Sequence, residues 1–135
     1  MSEVAHEIDL AAATGAEAEP SLQVLTVYVP DRDRDDCEFG QQRKWVLAFA
    51  RLLSEIGGGV TVMPPAEGGW FNEETGKPIW ERTVLVYTYI KPDPFRRLLP
   101  DLRGALHRFG RETNQGEVVF EFDGELYRIR DYDGQ

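Results

Sequence analysis

The sequence predicts a single α+β domain with one antiparallel sheet. Segments that alternate like β-strands and segments with helical periodicity follow one another in the order β-α-β-β-α-β, and a further short strand ends the chain. The 135 residues suit one core, and 41% of them are hydrophobic, which is enough to fill it.

The first strand is predicted over residues 22–29, because β-branched residues dominate there. Its apolar residues occupy both faces, which indicates a central strand. Pro30 ends it, and a charged loop, 31–36, follows. The first helix is predicted from 39–41 to 56, since large apolar residues recur three and four apart. Its buried stripe consists of Trp45, Phe49, Leu52, Leu53 and Ile56.

The second strand, 60–63, is short, because Pro64 and Pro65 interrupt it. Gly68 and Gly69 favour a bulge or bend before extended structure resumes at Trp70. A turn at 72–77 and a return strand over 78–90 come next. Gly76 is the residue of this turn that we expect at positive φ.

The second helix carries an apolar stripe that is interrupted by Pro100. Proline lacks an N–H and clashes with the preceding turn, so we expect a short first turn and a helix over 100–112. A strand over 117–122, the hairpin signal Asp123-Gly124 and a final strand over 126–129 complete the chain. The stripe consists of Phe95, Leu98, Leu99, Leu102, Leu106 and Phe109.

This order of elements is that of the ferredoxin-like split βαβ arrangement, in which both helices cover one face of the sheet. The other face would be bare and would carry Tyr87 and Tyr89. A bare face with aromatic residues is usually covered by a second subunit or by a ligand. We therefore expect a homodimer or a protein partner, with a small-molecule ligand as a further option.

Charge divides the chain into an acidic tail, 1–20, and a folded domain, 21–135. The tail contains five acids and no Lys or Arg, and its composition predicts disorder. The rest has 19 acids against 15 bases, which argues against binding to nucleic acid. No apolar run is long enough to cross a bilayer, and the first 20 residues do not resemble a secretory signal. The cytoplasm is the expected location.

Residue patterns for catalysis, metals and cofactors are absent from the sequence. Cys37 is the single cysteine and lies among acids, which disfavour a reactive thiolate. Asp31, Asp33 and Asp35 have the spacing of a calcium loop, but that loop needs glycine where Asp36 stands. No phosphate-binding loop or nucleophile elbow occurs. We predict no catalytic residues, no metal site and no cofactor.

Two groups of polar and aromatic residues are candidates for binding, although structural roles explain both. Cross-strand tryptophans stabilise a hairpin, and basic residues are favoured at a helix C-terminus. The first group belongs to the hairpin and return strand: Trp70, Asn72, Trp80, Glu81, Arg82, Tyr87 and Tyr89. The second group, on the second helix, is His107 and Arg111.

The domain resembles small bacterial α+β domains of ferredoxin-like type that have no assigned activity. The resemblance implies the fold and possible dimerisation, and it implies no reaction. It depends on these motifs: Gly58-Gly59-Val60-Thr61, Gly69-Trp70, Gly76, Glu81, and Thr113-Asn114-Gln115-Gly116-Glu117-Val118.

Three functions are compatible with these observations. The main prediction is a non-enzymatic binding or regulatory module that interacts with itself or a protein partner. The alternative is a small dimeric ferredoxin-like enzyme acting on an organic molecule in a pocket between sheet and helices, with Tyr87, Tyr89, His107 and Glu81 as its candidates. The third is an acidic inhibitor that mimics nucleic acid, which requires carboxylates concentrated on one face.

Overall fold

The computed structural model describes residues 8–18 and 22–135. It is an α+β chain with one antiparallel six-stranded sheet and, in the described ranges, three helices. The helices are α1 (Leu10–Thr14), α2 (Gln42–Gly57) and α3 (Pro92–Glu112). The strands are β1 (Val24–Pro30), β2 (Thr61–Val62), β3 (Ala66–Asn72), β4 (Lys77–Tyr89), β5 (Val118–Phe122) and β6 (Glu125–Ile129).

Strand β1 is central, as its two apolar faces predict, and pairs with β4 on one side and β5 on the other. The order is β2-β4-β1-β5-β6, and β3 also pairs with β4. The order departs from the ideal ferredoxin-like arrangement in two ways. The strand before β4 is broken into β2 and β3 around Pro64 and Pro65, and β6 extends the sheet beyond β5.

Helices α2 and α3 pack on one face of the sheet and enclose the core. Leu25, Val27 and Val29 of β1 point into it and are fully buried. Phe109 of α3 is also fully buried, and its ring meets three other aromatic rings edge-on. Those rings belong to Phe39, Trp45 and Phe49.

Pro100 does not restart the second helix, so the expectation of a helix over 100–112 is wrong. Helix α3 is continuous through it from Pro92 to Glu112. Pro100 is exposed, whereas Leu98 before it and Leu102 after it are buried against the same core. This packing on both sides outweighs the hydrogen bond that the proline cannot donate.

The opposite face of the sheet, here called the open face, is not covered by any described helix. Tyr89 is 53% exposed, and the rings of Tyr87 and Tyr89 lie 6.2 Å apart, edge to face. Trp70 and Leu126 add further exposed apolar surface to this face. The expected bare face with aromatic residues is therefore present.

The tail is described only in part, since residues 1–7 and 19–21 lie outside the described residues. Within it, Asp9 caps α1 by accepting a hydrogen bond from the N–H of Ala12. Disorder of the remainder stays a prediction. Over 8–18 and 22–135, no helix combines the length and the apolar composition that crossing a bilayer requires.

Candidate functional site

A cavity of about 380 Å³, here called the open-face cavity, lies where β1 ends beside the middle of β4. Strands β1, β3, β4 and β5 contribute to its walls, together with two loops at 32–34 and 115–117. The volume lies within the range of roughly 300–1,000 Å³ that is usual for small-molecule sites. Its lining residues are Tyr28, Pro30, Arg32, Asp33, Arg34, Trp70, Glu81, Thr83, Gln115, Gly116, Glu117, Val119 and Arg130.

Three carboxylates line this cavity, those of Asp33, Glu81 and Glu117. Glu81 makes neither an ion pair nor a side-chain hydrogen bond with any described residue, whereas Asp33 accepts two backbone N–H groups. Glu81 is half-buried. Its pKa is raised above the ordinary value, chiefly because burial removes water from the carboxylate and also because Asp31 and Asp36 lie nearby. Arg32 opposes the shift without cancelling it. A desolvated, unpaired carboxylate in a cavity is suited to a cationic ligand or to proton transfer.

Glu117, another carboxylate of the cavity, is already compensated by arginines. Its Oε2 lies 3.2 Å from Nε of Arg128 and 3.7 Å from Nη2 of Arg130, although neither contact has hydrogen-bond geometry. The three acids thus differ in role, because Glu117 belongs to an ion cluster, Asp33 fixes its own loop, and Glu81 does neither.

Arg34 is the cationic counterpart of Glu81. It makes no ion pair within the described residues, and its Nη2 donates a hydrogen bond of 2.8 Å to the backbone oxygen of Gln115. A guanidinium has five N–H donors, so the rest of the group remains able to bind an anion. The open-face cavity therefore combines an acid with neither an ion pair nor a side-chain hydrogen bond, Glu81, with a base that has no ion pair, Arg34.

Aromatic side chains complete the walls. Trp70 is 43% exposed, so much of its ring is accessible to a ligand. The hydroxyl of Tyr28 donates a hydrogen bond of 2.9 Å to Oε1 of Glu121. Burial and that carboxylate raise the pKa of Tyr28, so its phenol stays protonated.

The charged loop after β1 is a structural part of the site. Oδ1 of Asp33 accepts hydrogen bonds from the backbone N–H groups of Asp35 and Cys37, at 2.8 and 3.1 Å. Oδ1 of Asp31 accepts one from the N–H of Arg82. These acids fix the loop and its connection to β4. In the described ranges, no group of three or more ligand-type side chains is arranged for a metal ion.

The candidate residues of the hairpin separate onto two faces. Trp70 pairs with Ile79 and lines the open-face cavity with Glu81, whereas Trp80 pairs with Gly69 and points the other way. The expected cross-strand contact of the two tryptophans is therefore wrong, because their register places them on opposite faces. Two further candidates lie outside the open-face cavity: Asn72, which accepts two backbone N–H groups in the turn, and Arg82.

The remaining candidates lie away from the open-face cavity. Tyr87 and Tyr89 continue along the open face beyond it. Nδ1 of His107 accepts a hydrogen bond from the N–H of Asp133, and Arg111 donates to the Asp133 backbone oxygen. These two helix residues therefore bind the C-terminal segment of the chain.

A larger cavity, of about 690 Å³, lies between α3 and the strands β5 and β6, on the helix side of the sheet. Its walls are almost entirely apolar and include two stacked ring pairs, Phe95 with Phe122 and Phe120 with Tyr127. It lacks an unpaired carboxylate. The charged side chains that could take part in a reaction lie mainly in the open-face cavity.

Tyr28, Arg34 and Glu117 are functional candidates that the sequence prediction did not include. Tyr28 alternates with buried residues of β1, which is a sign that it faces away from the helices. Nothing in the sequence sets the register that brings it to Glu81. Arg34 belongs to a loop, whose path the residue pattern does not determine.

No protein-family model matches the chain, and neither does any curated protein sequence. Among solved structures, the fold is similar to a phage SAM lyase in complex with S-methyl-5′-thioadenosine, with a TM-score of 0.58 and 11% identity over 85% of this chain and 94% of that one. A phage SAM lyase in the apo state gives a TM-score of 0.49 and 12% identity, over 85% and 97% of the chains.

The neighbour with a TM-score of 0.58 corrects the main functional prediction. The main prediction, a non-enzymatic binding module, is contradicted, because the fold is similar to that of an enzyme, a phage SAM lyase. Of the expected resemblance to small bacterial domains, the α+β class is confirmed. The mimic of nucleic acid is not supported either, since arginines accompany acids over the described surface, as in the pairs Arg108–Glu112 and Arg128–Glu117.

Proposed function

We propose that this chain is a small enzyme that cleaves a sulfonium nucleoside of the S-adenosylmethionine (SAM) type in its open-face cavity. The observation that carries the proposal is that one cavity contains both an acid and a base without an ion pair, Glu81 and Arg34. The similarity in fold to a phage SAM lyase gives the substrate class.

The charges of such a substrate match those of the cavity. SAM carries a sulfonium cation and an amino-acid carboxylate, and it carries an adenine ring. Glu81 would bind the cation and Arg34 the carboxylate, since charge-assisted hydrogen bonds and ion pairs are strongest in desolvated sites. Trp70 offers an exposed ring on which adenine can stack.

The reaction follows from a comparison of SAM, the proposed substrate, with S-methyl-5′-thioadenosine, the compound in the complex of the phage SAM lyase. S-methyl-5′-thioadenosine is SAM without its aminobutyrate portion, so the bond that breaks joins the sulfonium sulfur to the carbon chain, and its electron pair remains on sulfur. The carbon chain regains a pair either from a C–H bond whose proton Glu81 removes or from the substrate's own carboxylate. A raised pKa suits Glu81 to the first route. The positive charge on sulfur disappears in both routes.

Architecture and location belong to the same proposal. We assign the chain a ferredoxin-like arrangement modified by the broken second strand and by β6. Cys37 is exposed and unpaired, which suits a reducing compartment such as the cytoplasm.

The test is incubation of the full chain with SAM, followed by chromatographic separation of the products. We expect S-methyl-5′-thioadenosine to accumulate with time and enzyme concentration, together with a four-carbon product whose structure distinguishes the two routes. Glu74→Gln is a matched control, because Glu74 lies in the exposed hairpin turn outside the open-face cavity. The absence of both turnover and calorimetric binding of S-methyl-5′-thioadenosine would refute the proposal.

We also expect the chain to associate with itself through the open face. Tyr89 and Leu126 are 53% and 45% exposed there, and apolar surface of this kind is usually covered in an assembly. Light scattering should give a mass above that of one chain, and Tyr89→Ser should lower it. A monomeric mass at high concentration would contradict this expectation.

A further inference from the structure

The C-terminal segment, residues 131–134, is bound to α3 by a set of specific contacts and is here called the C-terminal clasp. The carboxylate of Asp133 accepts two hydrogen bonds from Arg103, at 2.8 and 3.1 Å. The N–H of Asp133 donates to Nδ1 of His107 at 2.8 Å. These contacts lower the pKa of Asp133, chiefly through Arg103, so the carboxylate is ionised at neutral pH.

Tyr132 is the buried residue of this clasp, with 5% of its surface exposed. Its ring occupies the space in front of Gly110, where any side-chain carbon would overlap it. The edge of the ring also packs against His107, with centroids 6.2 Å apart. The glycine therefore provides a fitted position for the tyrosine ring, and the ring directs its hydroxyl toward the end of α3.

The hydroxyl of Tyr132 donates a hydrogen bond of 2.8 Å to the backbone oxygen of Gln115. The same oxygen accepts Nη2 of Arg34, also at 2.8 Å. The side chain of Gln115, which is 5% exposed, donates to the backbone oxygen of Arg32 at 3.0 Å. Gln115 is thus a buried junction between the C-terminal clasp and the loop at residues 32–34, which lines the open-face cavity.

We propose that Tyr132 is a positioning residue of the open-face cavity, which acts by fixing Gln115 and through it the guanidinium of Arg34. The inference deepens the proposed function, since it depends on Arg34 as the group that binds the carboxylate of the substrate. Tyr132 does not line the cavity, so it acts only through these contacts.

The hydroxyl of Tyr132 is one of several contacts at this junction, since the N–H of Gln115 donates to the oxygen of Gly110 and the N–H of Arg34 donates to the oxygen of Asn114. Both lone pairs of the Gln115 oxygen are in use, one by Tyr132 and one by Arg34. Burial raises the pKa of Tyr132, so its phenol remains a donor over the neutral range. Without this donor the turn at 113–117 has one fewer constraint, and the position of Arg34 is less well defined.

Tyr132→Phe tests the proposal, because it removes the hydroxyl and keeps the ring that packs against Gly110. Tyr127→Phe is the matched control, since the hydroxyl of Tyr127 bonds only to the exposed Glu125 and lies outside the open-face cavity. The loss of one hydrogen bond corresponds to a change of about fivefold. We expect about fivefold faster hydrogen exchange at the amides of Arg34 and Gln115 in Tyr132→Phe, with β1 and β4 unchanged.

The kinetic readout is KM against kcat for SAM. We expect Tyr132→Phe to raise KM about fivefold and to leave kcat within twofold, which a general loss of stability would not produce. The role of Tyr132 would be overturned by unchanged hydrogen exchange at Arg34 and Gln115, or by faster exchange throughout the sheet. An unchanged KM, or equal effects in Tyr127→Phe, would also overturn it. If the wild-type chain releases no S-methyl-5′-thioadenosine, the proposed function fails. The hydrogen-exchange measurement then decides by itself whether Tyr132 fixes Arg34 and Gln115 in the wall of the open-face cavity.

Discussion

Replacing Glu81 by glutamine is expected to lower SAM cleavage at least 100-fold and to raise the stability of the fold. The amide cannot bind the sulfonium as an anion or remove a proton, and losses of about 10²–10³ are typical when one preorganised electrostatic contact is removed. The gain in stability follows from burial, because Glu81 is half-buried, desolvated and without an ion pair in the described residues. A gain of about 1 kcal/mol is usual for a single stabilising change.

The gain in stability of Glu81→Gln over the wild type should depend on pH. The folded chain binds the proton of Glu81 more tightly than the unfolded chain does, because the folded pKa is raised. The free energy of unfolding of the wild type therefore decreases as pH rises from the ordinary pKa of a glutamate through the raised one. Glu81→Gln has no such loss. The difference in melting temperature between variant and wild type should be larger at pH 7 than at pH 4.

Calorimetry of Glu81→Gln, with Glu74→Gln as control, checks both parts. Activity should fall only in Glu81→Gln, and its melting temperature should rise. A variant that cleaves SAM at more than a tenth of the wild-type rate would exclude Glu81 from the reaction. A variant that melts lower at pH 7 would show that Glu81 has a stabilising partner.

Gly57→Ala is expected to have the largest effect on stability, a loss of about 3 kcal/mol and roughly 10 °C in melting temperature. A side-chain carbon at this last residue of α2 would lie 2.5 Å from the backbone oxygen of Tyr89 and would overlap the hydroxyl of Thr88. Thr88 has little room to move, since it is buried and donates to the oxygen of Gly59. Helix and central sheet would have to separate.

Gly104→Ala is the control for this substitution. Gly104 also lies in a helix, but a carbon there would meet nothing within 4 Å. Alanine should stabilise α3 by about 0.5–1 kcal/mol, because glycine is the more flexible residue in the unfolded chain. Thermal unfolding of the two variants should shift in opposite directions, and a shift of the same sign in both would contradict the steric explanation.

Residue patterns predicted most of the fold because each element has its own local period. The alternation in β1 and the stripe of Trp45, Phe49 and Ile56 in α2 match the buried faces observed. The continuity of α3 could not be predicted in this way. Local rules at Pro100 favour a break, and the packing of Leu98 and Leu102 against the same core overrides them.

The site was less predictable, because it depends on register and on loop contacts. Glu81 and Trp70 were identified from the hairpin, but their shared cavity arises from the pairing of Trp70 with Ile79 and not with Trp80. Arg34 reaches the same cavity through a bond to Gln115, far along the sequence. No periodic pattern encodes such a contact.

The central place of β1 also governs how the chain folds. Its partners are β4 in the middle of the sequence and β5 near the end, with Leu25 opposite Phe122. Contacts between such distant residues require closure of long loops, which slows folding. On the ribosome, β1 emerges before both of its partners and can acquire its second neighbour only after β5 has left the exit tunnel. Until then at least one edge of this apolar strand is unpaired and prone to association, so synthesis rate and chaperones are expected to influence the yield of folded protein.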